Sequence, residues 1–147
     1  MSAENVELVR SVYPDPEVDV AALITDDEAA AQWIQAVAPR FDPSLEGTIR
    51  LPGLGAPVIF RELQGLRDVW RGWLGHWTSF HVEIEEVIDG GERILTVDRA
   101  HGRHRPEEPE DTLRRTVIWT VRDGRIVSVD FNVPHAEALA TVGDAAR

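Results

Sequence analysis

Three residues in the C-terminal half carry groups that could do chemistry together: Asp98, Arg115 and Asp130. Two of them lie in one stretch, TLRRTVIWTVRDGRIVSVDFNV, which starts at Thr112 and ends at Val133. It reads as two strands joined by Asp123-Gly124, because a type I′ turn needs positive φ at both central residues. Counting back from that turn, Val121 faces Ile126, Trp119 faces Ser128, Val117 faces Asp130 and Arg115 faces Asn132. One face then carries Val121, Ile126, Trp119 and Val117 near the turn, with Arg115, Ser128, Asp130 and Asn132 at the far end. Apolar at one end and polar at the other is the pattern of a pocket with a greasy floor and a few orienting groups. A carboxylate in such a pocket has its pKa raised by desolvation, which poises it as an acid or base. A neighbouring arginine pulls the pKa back down and can orient a substrate oxygen. Two carboxylates around one arginine could instead activate a water. The same groups also suit a satisfied ion-pair cluster at the open end of a sheet, or a contact across a dimer, and the sequence leaves these readings open.

Other chemistries find little support. The chain has no cysteine, which removes disulfides, thiolate catalysis and cysteine-based zinc sites. His101 and His104 are spaced H-x-x-H, but in an arginine-rich run and without an evident third ligand. No metal and no cofactor is therefore expected. There is no glycine-rich phosphate loop and no nucleophile elbow. The net charge of −11 argues against nucleic acid and anionic membranes, both of which want basic surfaces. No apolar run reaches the roughly 18 residues that span a bilayer. The N-terminus, MSAENVELVR, has no apolar signal-peptide core, so a cytoplasmic location is the default.

The elements that must position these groups follow a clear order. A first helix is expected from about Ala3 to Tyr13, with Val6, Val9 and Tyr13 on one stripe. Pro14-Asp15-Pro16 stops it. A short helical piece from Val18 to Ile24 precedes a capping box, with Thr25 as N-cap and Glu28 three residues on. The helix it opens buries Ala30, Trp33, Ile34 and Val37 and ends before Pro39. Short strands are expected over Thr48–Leu51 and Val58–Arg61, with Pro52, Gly53, Gly55 and Pro57 in the loop between them. Leu66, Val69, Trp70, Trp73, Leu74 and Trp77 recur at helical spacing and form a large apolar slab. That slab packs on a sheet, or one of its tryptophans lines a ligand site. Phe80, Val82 and Ile84 alternate with polar residues, and the phase slips at Glu85-Glu86, the mark of a bulge. Arg93 to Gly102 is the next strand, the hairpin follows, and His135 to Val142 is a last helix with Gly143 past its end. The 147 residues, 43% of them hydrophobic, suit one domain of α+β class.

The run GLRDVWRGWLGHW, then FHVEIEEVIDGGERILTV, then TVIWTVRDGRIVSVDFNVPHAEAL resembles the SnoaL-like branch of the nuclear transport factor 2-like superfamily. SAENVELVRSVY resembles the way many such chains begin, and the resemblance covers nearly the whole sequence. It implies a cone-shaped curved antiparallel sheet with helices packed on its concave face. It also implies a pocket between the two, and a homodimer packed on the outer sheet face. Relatives place Trp119, Val121 and Asp98 inward, so Asp98, Arg115, Asp130 and Asn132 are expected to converge beside Val117, Trp119, Trp33 and Trp73. Phe131, Val129, Ile118 and Val127 would supply the dimer face. Family chemistry carries over only in part. The isomerase base would fall at Leu51, before Pro52, and its oxyanion-hole aspartate at Val117. The epoxide-hydrolase set would fall near Asp98, Ala100 and Pro134, out of place. Asp130-Phe131 resembles the cyclase acid/base pair after a one-residue gap. The resemblance thus implies a small-molecule pocket, either a cofactor-free acid/base isomerase, cyclase or hydrolase of a small apolar substrate, or a non-catalytic binding or dimerisation module.

Overall fold

A computed structural model of the chain describes residues 2–51 and 55–146; Pro52 and Gly53 of the expected loop lie outside that range. The turn at Asp123-Gly124 forms as expected, with φ of 52° and 76°. It joins β5 (Asp111–Arg122) to β6 (Arg125–Phe131). Arg122 pairs with Arg125 and Val121 with Ile126, but the register then shifts, and Thr120 pairs with Ser128, Trp119 with Val129 and Ile118 with Asp130. Val127 is the extra residue of a bulge. This corrects the extrapolated register by one residue, and every later side chain of β6 changes face.

Magnitudes explain why the bulge wins. Burying Phe131 is worth about 1.5–3 kcal/mol, whereas burying an unpaired carboxylate at Asp130 costs several. The bulge sacrifices a ladder hydrogen bond worth only about 1 kcal/mol. Val129 and Phe131 accordingly join Val117, Trp119, Val121 and Ile126 in the main core.

The other strands are β1 (Phe41–Ile49), β2 (Val58–Arg61), β3 (Ser79–Gly90) and β4 (Arg93–Arg103). The curved, unclosed sheet has the order β2-β1-β6-β5-β4-β3. All neighbours run antiparallel except β1 and β6, which are parallel. The slip expected at Glu85 is present, since Ile84 pairs with Asp98 and Glu86 with Val97. At Gly47 a Cβ would stand 1.9 Å from the Val129 carbonyl oxygen, so only glycine lets β1 lie against β6 there.

The helices are α1 (Ser2–Val12), α2 (Val20–Thr25), α3 (Asp27–Val37), α4 (Glu62–Leu74) and α5 (His135–Ala146). The N-cap of α3 is Asp26 rather than Thr25. The Asp26 carboxylate accepts from the Glu28 and Ala29 amides, while the Thr25 hydroxyl donates back to the Ala21 carbonyl within α2. Asp19 caps α2 and also accepts from the Phe80 amide, which fastens that helix to β3. Arg67 of α4 is buried; its Nε donates to the Ile24 carbonyl and its Nη2 to Asp27, both under 3 Å. It thereby satisfies a C-terminal carbonyl of α2 and ties the α2–α3 corner to α4. The arginine holds the Asp27 carboxyl below its usual range.

Residues of α1 to α4 pack with the face bearing Trp119, while α5 covers Leu95, Val97 and Ile118 on the opposite face through Ala138 and Val142. Helices therefore lie on both faces. Gly143 sits inside α5 rather than beyond it. The apolar face assigned to a dimer is corrected in the same step. Phe131 and Val129 point into the main core, and Ile118 is sealed beneath α5. No described helix is long and apolar enough to cross a membrane.

Candidate functional site

Asp98 and Arg115 are cross-strand partners on β4 and β5. Both point to the face covered by α1 to α4. Arg115 Nε donates to Asp98 Oδ1 at 2.8 Å and Nη2 to Oδ2 at 3.2 Å, a fork-to-fork pair. The Asp98 side chain is fully buried and that of Arg115 is 10% exposed.

A third donor comes from the residue that follows α1. Tyr13, at the helix end, donates its hydroxyl to Asp98 Oδ2 at 2.8 Å. The same hydroxyl lies 2.8 Å from Thr96 Oγ1, which also accepts from Trp119 Nε1 at 2.8 Å. One proton order satisfies every group. The indole N–H can only donate, so it donates to Thr96. The Tyr13 proton is committed to Asp98, so the Thr96 hydroxyl donates to Tyr13. The chain therefore runs Trp119 to Thr96 to Tyr13 to Asp98, with Arg115 completing the carboxylate.

Burial, and then the Asp98 charge, push the Tyr13 hydroxyl well above its ordinary pKa, so it stays an O–H near neutral pH. Burial alone would pull Arg115 down, but the Asp98 charge outweighs it and the net shift is upward. Arg115 is a permanent cation here. Asp98 accepts from two of its five N–H donors, and the other three have no partner among the described residues.

Tyr13 and Arg115 line a narrow cavity of about 50 Å³ between the sheet and the helices. Its walls are apolar and rich in aromatic rings, among them Trp33, Trp70, Trp73, Phe80, Trp119 and Phe131. Arg115 is the sole charged residue among its described lining, and its guanidinium carbon lies 6.0 Å from the Phe80 ring centroid. About 50 Å³ is space for a small fragment, far below the roughly 300–1,000 Å³ of a drug-sized site.

The structure thus brings Asp98, Arg115, Trp119, Trp33 and Trp73 to one place. It does not bring Asp130 there. The bulge puts Asp130 on the opposite face, where it accepts a hydrogen bond from Thr48 Oγ1 at 2.7 Å. Val117 is fully buried core beside the cavity rather than in its lining. Asn132 adopts left-handed φ of 61° beyond β6 and donates to the Arg50 carbonyl. It lines a second, open groove of about 480 Å³ that shares Arg115 and Trp73 with the aromatic cavity. Tyr13 and Thr96 were not foreseen as site residues. Tyr13 is the one tyrosine in the chain and ends an apolar helix stripe, and a hydroxyl so placed needs a buried acceptor. Asp98 is that acceptor. Among the described residues no cluster of three or more metal-ligating side chains occurs.

Comparison with known proteins agrees with this architecture. A family model of the SnoaL-like domain matches residues 40–129. The chain belongs to the SnoaL-like family. Solved structures similar to this SnoaL-like chain include a nuclear transport factor 2-like protein of unknown function from Burkholderia pseudomallei. It is 17% identical with a TM-score of 0.64, covering 95% of this chain and 97% of that one. A provisionally assigned SnoaL-like polyketide cyclase from Jannaschia is 12% identical with a TM-score of 0.67, covering 95% and 92%. A hypothetical protein of ketosteroid isomerase-like fold from Catenulispora acidiphila, in complex with trimethylamine, is 14% identical with a TM-score of 0.55, covering 89% and 94%. At these identities the likeness shows the fold alone. No curated protein matched the sequence.

Proposed function

We propose that this SnoaL-like chain takes a small apolar carbonyl compound into its aromatic cavity and shifts a proton on it without a cofactor, as an isomerase or cyclase does. The observation that carries this reading is the position of Arg115 and Tyr13 at the cavity, both bound to a fully buried Asp98. The unused N–H groups of Arg115 are donors for an oxygen that gains negative charge as an enolate forms. Tyr13 supplies the path for the proton. Its oxygen accepts the proton from carbon while its own proton passes to Asp98, and the reverse transfer can deliver a proton to another atom. The α-proton of such a compound is acidified by its own carbonyl, which is why a carbonyl compound is the substrate class. Asp130 takes no part, because it lies on the other face.

A second reading is a binding module without turnover. Two observations favour it: Asp98 does not itself line the cavity, and Arg115 is tightly engaged. A homodimer remains part of the proposal, on the outer strip of β6, β1 and β2, where Ile59 is 70% exposed; sedimentation of the purified chain tests it. A cytoplasmic location completes the reading.

The experiment is a pH titration of bound 4-nitrophenol, followed by the phenolate absorbance band. Phenolate mimics an enolate oxygen. A charge-assisted hydrogen bond from Arg115 is worth about 1.5–3 kcal/mol, so the bound phenol should titrate roughly one to two pH units below the free phenol. Arg115→Gln should remove that shift. A bound phenol that titrates above the free one would mean that desolvation dominates, and the oxyanion role of Arg115 would be wrong.

A further inference from the structure

The open groove has a composition at odds with the rest of the molecule. The chain carries 26 acidic and 15 basic residues. Yet the described lining of the groove holds Arg50, Arg114, Arg115 and His135, and no carboxylate. Two of these arginines are only loosely engaged. Arg50 lies 3.6 Å from Glu137 and Arg114 lies 3.4 Å from Glu85, and all four side chains are well exposed. Charge-assisted hydrogen bonds close to roughly 2.7–2.9 Å, so both guanidiniums are free to exchange their partners for a ligand. His135 Nδ1 is within 3.2 Å of the Thr116 hydroxyl, and its other ring nitrogen has no partner among the described residues. The same lining includes Leu51, Leu113 and Trp73, a surface for an apolar body. Asn132 Oδ1 is buried at the groove with no hydrogen-bond partner among the described residues.

We propose that this groove binds an organic carboxylate, with the anion on Arg50 and Arg114 and the apolar remainder against Leu51, Leu113 and Trp73. The proposal deepens the pocket reading and rests on it, since Trp73 and Arg115 are common to cavity and groove. A ligand anchored by its carboxylate can extend its reacting end past Arg115 into the aromatic space. The steric capacity matches, because about 480 Å³ accommodates a body that the cavity of about 50 Å³ cannot.

The test compares benzoate with benzamide, which has nearly the same shape and no charge, by calorimetric titration at low salt. Indole serves as a neutral probe of the aromatic cavity. Benzoate should bind roughly tenfold or more tightly than benzamide, as a charge-assisted contact requires. The double variant Arg50→Gln/Arg114→Gln should abolish that preference and leave indole binding unchanged. Both arginines are exposed, so the variant should fold. Equal affinities for benzoate and benzamide, or a preference that survives the double variant, would overturn the proposal. It would also fall if sulfate displaced benzoate as well as acetate does at equal ionic strength, since the groove would then be a general anion site. Indole binding without benzoate preference would leave the cavity reading standing and remove the groove. Benzoate preference without indole binding would do the opposite.

Discussion

Replacing Asp98 by alanine should lower stability by about 3–5 kcal/mol, the cost of leaving a buried charge without its partner. Arg115 would remain in an apolar wall with its ion pair gone, and the Tyr13 hydroxyl would lose its acceptor. Domains of this size are stable by only about 5–15 kcal/mol. The loss is therefore a large fraction of the total, about 6–20 °C in melting temperature at roughly 2–4 °C per kcal/mol. Asp98→Asn should cost less, because an amide oxygen still accepts one of the donors. The pairwise coupling follows from a cycle with Arg115→Met, read from urea midpoints. The double variant should be more stable than the sum of the two losses predicts, since neither charge is then stranded. A loss within about 0.5 kcal/mol of wild type for Asp98→Ala, the size of an ordinary surface change, would show that the pair is not a buried structural element.

This pair also marks how far the sequence could be read. The turn at Asp123-Gly124 and the slip at Glu85 are legible because each has a local signature, whereas the expectation that Asp98 meets Arg115 rests on the family resemblance alone. Asp130 was misplaced because a register was carried several pairs past the turn, and one unpaired residue flips everything beyond it. The signal was present. Ile126 and Val127 are adjacent apolar residues, and Val129 and Phe131 alternate with Ser128 and Asp130. Pairing Trp119 with Val129 puts both apolar sets on one face, and that pairing is the one observed. Val129 and Phe131 leave the expected dimer face for the same reason, whereas Ile118 leaves it because α5 covers it. Longer-range facts had no local trace. That α5 folds back over β3, β4 and β5 depends on burial of Ala138 and Val142 against residues as far back as Ile88, Leu95 and Val97. The parallel pairing of β1 with β6 likewise joins segments far apart in the sequence, Thr48 beside Asp130. Tyr13 belongs to this class: its stripe was legible, but its partner lies 85 residues away.

Tyr13→Phe should separate binding from proton transfer. The substitution keeps the ring that packs 5.6 Å from Trp119 and removes only the hydroxyl. Thr96 and Asp98 each lose one partner, which should cost about 1–3 kcal/mol of stability. Arg115 keeps its free N–H groups, so 4-nitrophenolate affinity should change by no more than about threefold, less than one contact of this kind is worth. Proton transfer should respond quite differently. Asp98 does not line the cavity, and Arg115, a permanent cation, relays no proton, so without the hydroxyl no group carries a proton between Asp98 and a ligand. Exchange of the α-protons of a small cyclic ketone in deuterium oxide, followed by proton NMR, should fall by roughly 10²–10⁴, the usual contribution of a positioned acid or base. The exchange assay requires no natural substrate, only an enolisable carbonyl of the right size. If the phenylalanine variant exchanges as fast as wild type, the proton does not travel through Tyr13. If wild type itself exchanges no faster than buffer while still binding nitrophenolate, the network orients a ligand and does not turn it over. In that case the buried Asp98 serves to hold Arg115 charged and fixed at the wall of the cavity, which an arginine free to swing toward the open groove would not be.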